Sequence, residues 1–188
     1  MIFVLSGPSG SGKTTLRDLL LKEKALKKLF VKSISFTTRP MRIGEKEGRD
    51  YFFINENTFR SLRKHKRILE WTRYLGYYYG TKKDSFEISL KKGKNVLLCI
   101  DFKGASRIKK IYPKDTVTIF IIPPSLAELR KRIEGRSLGT REEETLRRIR
   151  CAERELKNVK EYDYSLKNIN LLQAVKRLKG IILKEILK

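Results

Sequence analysis

The stretch "GPSGSGKTT", residues 7–15, follows directly on the apolar run "MIFVLS" at residues 1–6. Ile2, Phe3, Val4 and Leu5 form a short, partly β-branched run closed by a Gly/Pro/Ser cluster, which predicts a strand buried on both faces. Gly7, Gly10 and Gly12 permit backbone angles that a side chain would forbid, so successive N–H groups can converge on an anion. Thr14, Thr15, Leu16, Leu19 and Leu20 continue at helical spacing, so a helix N-terminus faces the same anion. Lys13 adds a charge within reach of β- and γ-phosphates, and the Thr14 hydroxyl suits Mg²⁺. The pattern G-x(4)-G-K-[ST] is complete and sits in a strand–turn–helix context.

Composition sets the limits around this loop. The 188 residues are 40% hydrophobic, enough for one substantial core, so a single domain with an inserted flap or lid is expected. Cys99 and Cys151 have no C-x-x-C spacing, which fits a reduced cytoplasmic protein better than a disulfide framework. No apolar stretch approaches a membrane span and no basic leader precedes the first strand, so no membrane association is expected. The net charge of +23 raises nucleic-acid binding as a rival function. The basic residues, however, are spread through "KEKALKKL", "RSLRKHKR" and "RLKGIILKEILK" with apolar residues at helical spacing, the pattern of solvated outer faces. No specific nucleic-acid partner is expected.

Apolar runs alternate with helical patterns along the chain. Extended segments are expected at 30–36, around "YFFI" and "LEWTRYLGYYYG", at "NVLLCID", at "TVTIFII" and at "YDYSLKN". Helices are expected at "ENTFRSLRKHKR", 83–91, 103–110, "SLAELRKRIE" and the C-terminus. This alternation predicts an α/β fold with a parallel sheet covered on both faces. The aromatic segment 37–81 interrupts the rhythm and reads as an insertion that holds a second substrate. The polar segment "GRSLGTREEETLRR" has few apolar anchors and reads as weakly held. His65 lies in a run of basic residues and reads as a solvated helix position.

A phosphate loop alone does not separate a kinase from a motor, a switch or a transporter ATPase. The segment "SISFTTRPMRIGE" brings Ser35, Arg39 and Arg42 close together beside a turn at Pro40 and Gly44. Two guanidinium forks on a rigid loop suit a phosphate monoester. Tyr51 in "RDYFF" and Tyr79 in "YYYGT" add hydroxyl donors.

Together, "SGPSGSGKTTL", "SFTTRPMRIGEKEGRDYFF", "ILEWTRYLGYYYGT", "IDFKGA", "FIIPPSLAELRKRIEGR" and "TLRRIRCAERELK" resemble the guanylate kinases in order and spacing across nearly the whole chain. The resemblance implies a P-loop nucleoside monophosphate kinase fold that transfers the γ-phosphoryl group of MgATP to GMP, with dGMP as a further candidate acceptor, as a monomer or homodimer. It implies a core (1–34, 82–134 and 158–188), a GMP-binding insertion (35–81) and a helical lid (135–157). Gly7, Pro8, Ser9, Gly10, Ser11, Gly12, Lys13, Thr14 and Thr15 would bind ATP. Ser35, Arg39, Arg42, Tyr51, Glu70, Tyr79, Gly80, Thr81 and Asp101 would bind GMP. Lys13, Arg39, Arg136 and Arg148 would be catalytic, with Arg141 and Arg147 as rival lid arginines. Mg²⁺ would sit on Thr14, with waters held by Asp101.

Chemistry at these positions agrees with guanine. A Glu70 carboxylate can accept from both N1–H and N2–H₂, and a Thr81 or Ser35 hydroxyl can donate to O6. Adenine would set a lone pair against the carboxylate. In "LLCID" the chain departs from the family's usual acid–apolar–acid pattern, with Cys99 in place of the first acid. Cys99 is expected either beside the nucleotides or packed as a small buried hydrophobe. Two other readings stay open: a ribose bisphosphate phosphokinase, which would not need Glu70 to read a purine, and a non-catalytic guanylate-kinase-like interaction module.

Overall fold

The apolar run at the N-terminus is wholly inaccessible to solvent from Ile2 to Leu5, and its side chains divide between two cores by strand alternation. The computed structural model describes residues 1–135 and 142–188. In chain order the elements are β1 (Ile2–Ser6), α1 (Lys13–Leu20), α2 (Lys24–Leu29), β2 (Phe30–Lys32), β3 (Ser35–Thr37), β4 (Phe52–Phe53), α3 (Glu56–Lys64), β5 (Ile68–Tyr74), β6 (Tyr77–Lys82) and α4 (Lys83–Lys91). There follow β7 (Asn95–Cys99), α5 (Phe102–Ile111), β8 (Thr116–Ile122), α6 (Leu126–Gly135), α7 (Glu142–Leu156), β9 (Tyr164–Lys167) and α8 (Leu171–Ile186).

Five strands pair in the order β2-β7-β1-β8-β9, with every pairing parallel. Phe3 and Leu5 pack with Leu16 and Leu20 of α1 and Ala174, Leu178 and Ile182 of α8 on one face. Ile2 and Val4 pack with Phe86 of α4 and Ala105 and Ile108 of α5 on the other. This is the doubly covered parallel sheet that continuous apolar strands require. The loop after β1 lies where the chain leaves the sheet between β7 and β8, the point at which such sheets bind ligands.

A second sheet has the order β4-β3-β6-β5. The segment 30–36, read above as one extended piece, divides between the sheets: β2 pairs with β7 and β3 pairs with β6. β5 and β6 form a hairpin whose two-residue turn holds Leu75 at φ 51° and Gly76 at φ 88°, the left-handed pair of the favoured tight hairpin. The aromatic residues make a separate small core from Phe36, Phe59 and Ile68, with Trp71 and Tyr78 against it.

Directly after the polar segment "GRSLGTREEETLRR", α7 gains an apolar anchor. Ile149 and Ala152 form a buried cluster with Leu129 and Ile133 of α6, because residues three or four apart share one helix face. Among the described residues no helix is long and apolar enough to cross a membrane.

Candidate active site

The first requirement of an anion cradle is backbone that no side chain obstructs. At Gly7, with φ 133°, an added Cβ would lie 2.5 Å from the Ile121 carbonyl oxygen, and at Gly12, with φ 95°, it would lie 2.4 Å from Asn168 Nδ2. Both positions are therefore closed to other residues by conformation and by space. Asn168, directly after β9, donates from Nδ2 to the Ser11 carbonyl at 2.9 Å, and the Tyr162 hydroxyl donates to Ser6 Oγ at 2.7 Å. These contacts fix the loop from the far end of the chain. Lys13 Nζ donates to the carbonyls of Gly7 at 2.5 Å and Pro8 at 2.9 Å, which holds its charge over the loop.

The loop opens on a cavity of about 510 Å³. Gly7, Ser9, Gly10, Gly12, Lys13, Thr14 and Thr15 line it. Pro8 and Ser11 do not; they build the turn, in which the Ser11 N–H donates to the Pro8 carbonyl at 3.1 Å.

Across the cavity, Ser35, Arg39, Arg42, Tyr51, Glu70, Tyr79, Gly80 and Asp101 also line the wall. Arg39 is 6% exposed, and its Nη2 donates to both Glu45 carboxylate oxygens, at 2.7 and 3.0 Å. Its guanidinium lies 5.6 Å from the Tyr51 ring centre and 5.8 Å from that of Phe53. Glu45 also accepts the Arg42 N–H, so one carboxylate aligns both arginines. Burial pushes the Arg42 pKa down, and the charges of Arg39 and Arg148 push it further. Such a cluster of like charge favours a bound anion. Burial, with Tyr79 beside it, pushes the Tyr51 hydroxyl up to about 12, so it stays a donor.

Glu70 occupies a break in the β5–β6 register, where Ile68 faces Lys82 and Trp71 faces Gly80. Three steps on one strand against two on the other make a bulge, a device that re-aims a side chain. The carboxylate turns inward, 3% exposed, and lies against the first turn of α5. There a Cβ on Gly104 would approach Glu70 Oε2 to 2.7 Å. The Thr81 hydroxyl donates to Glu70 Oε1 at 2.6 Å. Burial pushes the Glu70 pKa up to about 7, with Asp101 adding to the rise and the Thr81 hydrogen bond opposing it.

Two neighbours of Glu70 are tied to the packing here. Thr81 does not itself line the cavity, and its hydroxyl donates to Glu70, which does. Gly80 does line it, but its missing Cβ is explained by packing, since a Cβ would meet Ile68 Cγ2 at 2.7 Å and Phe59 Cζ at 3.1 Å.

Among the lid arginines, Arg148 on α7 is buried and faces the cavity. Arg147 is exposed and does not line it. Arg136 and Arg141 lie outside the described residues. Cys99 lines the cavity and also packs against the core, so its two expected placements coincide at the strand end. Burial raises its thiol pKa.

Sequence reasoning missed Glu45, Asn168 and the pair Tyr74 and Glu155. Both members of the pair line the cavity. Glu155, near the end of α7, is pushed up to about 7 by burial, with Lys13 opposing and Asp101 reinforcing the rise. The only sequence signal for Glu45 was its place three residues after Arg42.

A sequence model described as guanylate kinase matches residues 1–185 of the chain. The guanylate kinase of Clostridioides difficile (strain 630) is 42% identical over 98% of this chain and 88% of its own length. That of Mycoplasma mobile is 43% identical over 98% of this chain and 93% of its own length. A crystal structure of guanylate kinase from Anaplasma phagocytophilum superposes with a TM-score of 0.82 at 33% identity, covering 100% of this chain and 87% of the other. With a match over nearly its whole length, the chain belongs to the guanylate kinase family.

Proposed function

We infer that the chain phosphorylates GMP to GDP with ATP as the donor. The observation that carries this reading is Glu70: a buried carboxylate aimed by a bulge into the same cavity as the phosphate loop. Its two oxygens match the two adjacent donors of guanine and repel the N1 lone pair of adenine. A ribose bisphosphate acceptor would leave that buried carboxylate without a partner, and an interaction module would not need an intact Lys13 and Thr14.

The residues divide by task. Loop amides and Lys13 hold the donor phosphates, while Arg39, Arg42, Tyr51 and Tyr79 hold the acceptor phosphate in line. Arg148, presented by α7, neutralises charge that develops on the transferring group, and Arg136 is assigned the same task by family resemblance. Glu70, Ser35 and Asp101 hold the base. The GMP phosphate is itself a competent nucleophile, so no side chain is required as a general base.

The division into a core, a GMP-binding insertion at 35–81 and a lid at 135–157 rests on the second sheet and on α7. Thr14 and Asp101 are oxygen donors that line the same cavity, and among the described residues no group of three or more His, Cys, Asp or Glu gathers to cage a metal. That sparse, hard donor set fits Mg²⁺ held mainly by substrate phosphates and water. When bound, the ion supplies neutralisation of phosphate charge. A cytoplasmic location accords with two free cysteines.

The test is a coupled assay with GMP, dGMP, AMP, UMP and a ribose bisphosphate as acceptors. GMP should exceed AMP by roughly 10⁴ in kcat/KM. Equal use of AMP, or turnover of the ribose bisphosphate alone, would overturn the assignment.

A further inference from the structure

One turn beyond Lys13 on α1, Arg17 lines the cavity yet is only 4% exposed. Its position four residues on places it on the same helix face as Lys13, directed toward the wall opposite the loop. Among the described residues its only hydrogen bond runs from Nε to Asp18 Oδ1, at 2.8 Å. The two terminal nitrogens of the fork, with four N–H donors, have no protein acceptor there. The remaining charged neighbour of the pair is another cation: Lys32 Nζ lies 3.6 Å from the same Asp18 oxygen. Tyr51 and Cys99 are the other electrostatic neighbours of Arg17, and Tyr51 in turn faces Tyr79, with ring centres 5.9 Å apart, and Arg39.

The two terminal nitrogens are not sealed from the cavity, so their acceptors there must come from water or from a ligand. Asp18, the one carboxylate it bonds, is itself exposed and holds only Nε, which leaves the terminal fork turned to the cavity. Resting on the reading of this cavity as the GMP and ATP site, we propose that Arg17 is a further acceptor-binding residue, whose terminal nitrogens hold the phosphate of GMP from the α1 side. Arg39 and Arg42 approach that phosphate from the turn between β3 and β4, and the guanine end lies away from Arg17, against Glu70 and α5. The neutral thiol of Cys99 leaves the fork uncontested from the β7 side.

The experiment measures binding of GMP, guanosine and ATP to the full chain by calorimetry, with wild type, Arg17→Met and Arg17→Lys. Arg17→Met should weaken GMP roughly 10- to 100-fold, leave guanosine and ATP within about twofold, and raise KM for GMP more than it lowers kcat. Arg17→Lys keeps the charge but loses the fork, and should fall between the two. If Arg17→Met does not fold, the lysine variant alone carries the comparison. Equal weakening of guanosine and GMP, or loss confined to ATP, would make Arg17 a support for α1 and overturn the proposal. Unchanged GMP affinity would overturn it as well. Failure of wild type to bind GMP would instead reject the underlying assignment.

Discussion

A carboxylate whose pKa is raised to about 7 by burial, as that of Glu70 is, is half-charged at neutral pH. Guanine donors favour its ionised form, so binding must release the proton whenever Glu70 carries one. GMP affinity should therefore be full above about pH 8 and fall about tenfold per pH unit below about 7. Titration of GMP across that range tests this, and Glu70→Gln should flatten the profile while costing roughly 2–4 kcal/mol in kcat/KM. The stability sign is opposite. Glu70 binds more protons folded than unfolded between about pH 4.5 and 7, so its contribution falls as pH rises through that window. Glu70→Gln should thus be more heat-stable than wild type at pH 8 and little different at pH 4.5. Gly104 is the neighbouring constraint. Gly104→Ala would press a methyl onto Glu70 Oε2, which stands 2.7 Å from that Cβ position. KM for GMP should rise at least about tenfold with KM for ATP unchanged, although alanine favours the helix by up to about 1 kcal/mol.

At the scale of elements, α7 brings Arg148 and Glu155 to the cavity and is held by a small apolar cluster that stands apart from the main cores. Ile149→Ala removes part of that anchor, at a local cost of about 2–4 kcal/mol. Because Arg148 and Glu155 come from the same helix, hydrogen exchange in α7 should accelerate roughly 30-fold or more while the β1 and β7 amides stay as protected as before. The kcat should fall with it, and unchanged exchange in α7 would show that α6 does not hold it. This cluster was hard to see in the sequence because "TLRRIRCAEREL" is so charged that its two core residues, Ile149 and Ala152, do not read as a face. The strands of the main sheet were legible because they are buried on both sides and so apolar throughout. The division at Ser33 and Ile34 was not, since which sheet a short strand joins depends on partners far along the chain. Arg39 and Arg42 were legible as a pair, but Glu45, which aligns them, looks like any surface glutamate. The contact of Thr81 with Glu70 was hidden for the same reason: a threonine hydroxyl can serve a base or a carboxylate, and the bulge at Glu70 is set by pairing across strands.

For the whole molecule, the question is where the net charge of +23 resides. The cavity wall carries Lys13, Arg17, Lys22, Arg39, Arg42 and Arg148 against Asp18, Glu45, Asp50, Glu70, Asp101 and Glu155, six formal charges of each sign. Burial holds Glu70 and Glu155 near half-ionisation at pH 7, which leaves the site only slightly positive. Nearly all of the excess therefore lies outside the cavity wall, on helices such as α2 with its three lysines in "KALKKL" and on the strands and turns between the helices. A field from outer charges acts before contact and is screened over about 10 Å at 0.1 M salt, whereas buried pairs are screened far less. Both substrates are anions, so their encounter rate should carry the salt dependence and the bound complex should not. We predict that kcat/KM for GMP falls about three- to tenfold as monovalent salt rises from about 0.05 to 0.5 M, while kcat changes by less than about twofold. Steady-state kinetics with a salt that does not compete for the site checks this. If kcat fell in parallel, salt would be acting on α7 or on the site's own ion pairs. If neither moved, the outer charge would be too evenly spread to direct an anion toward the cavity.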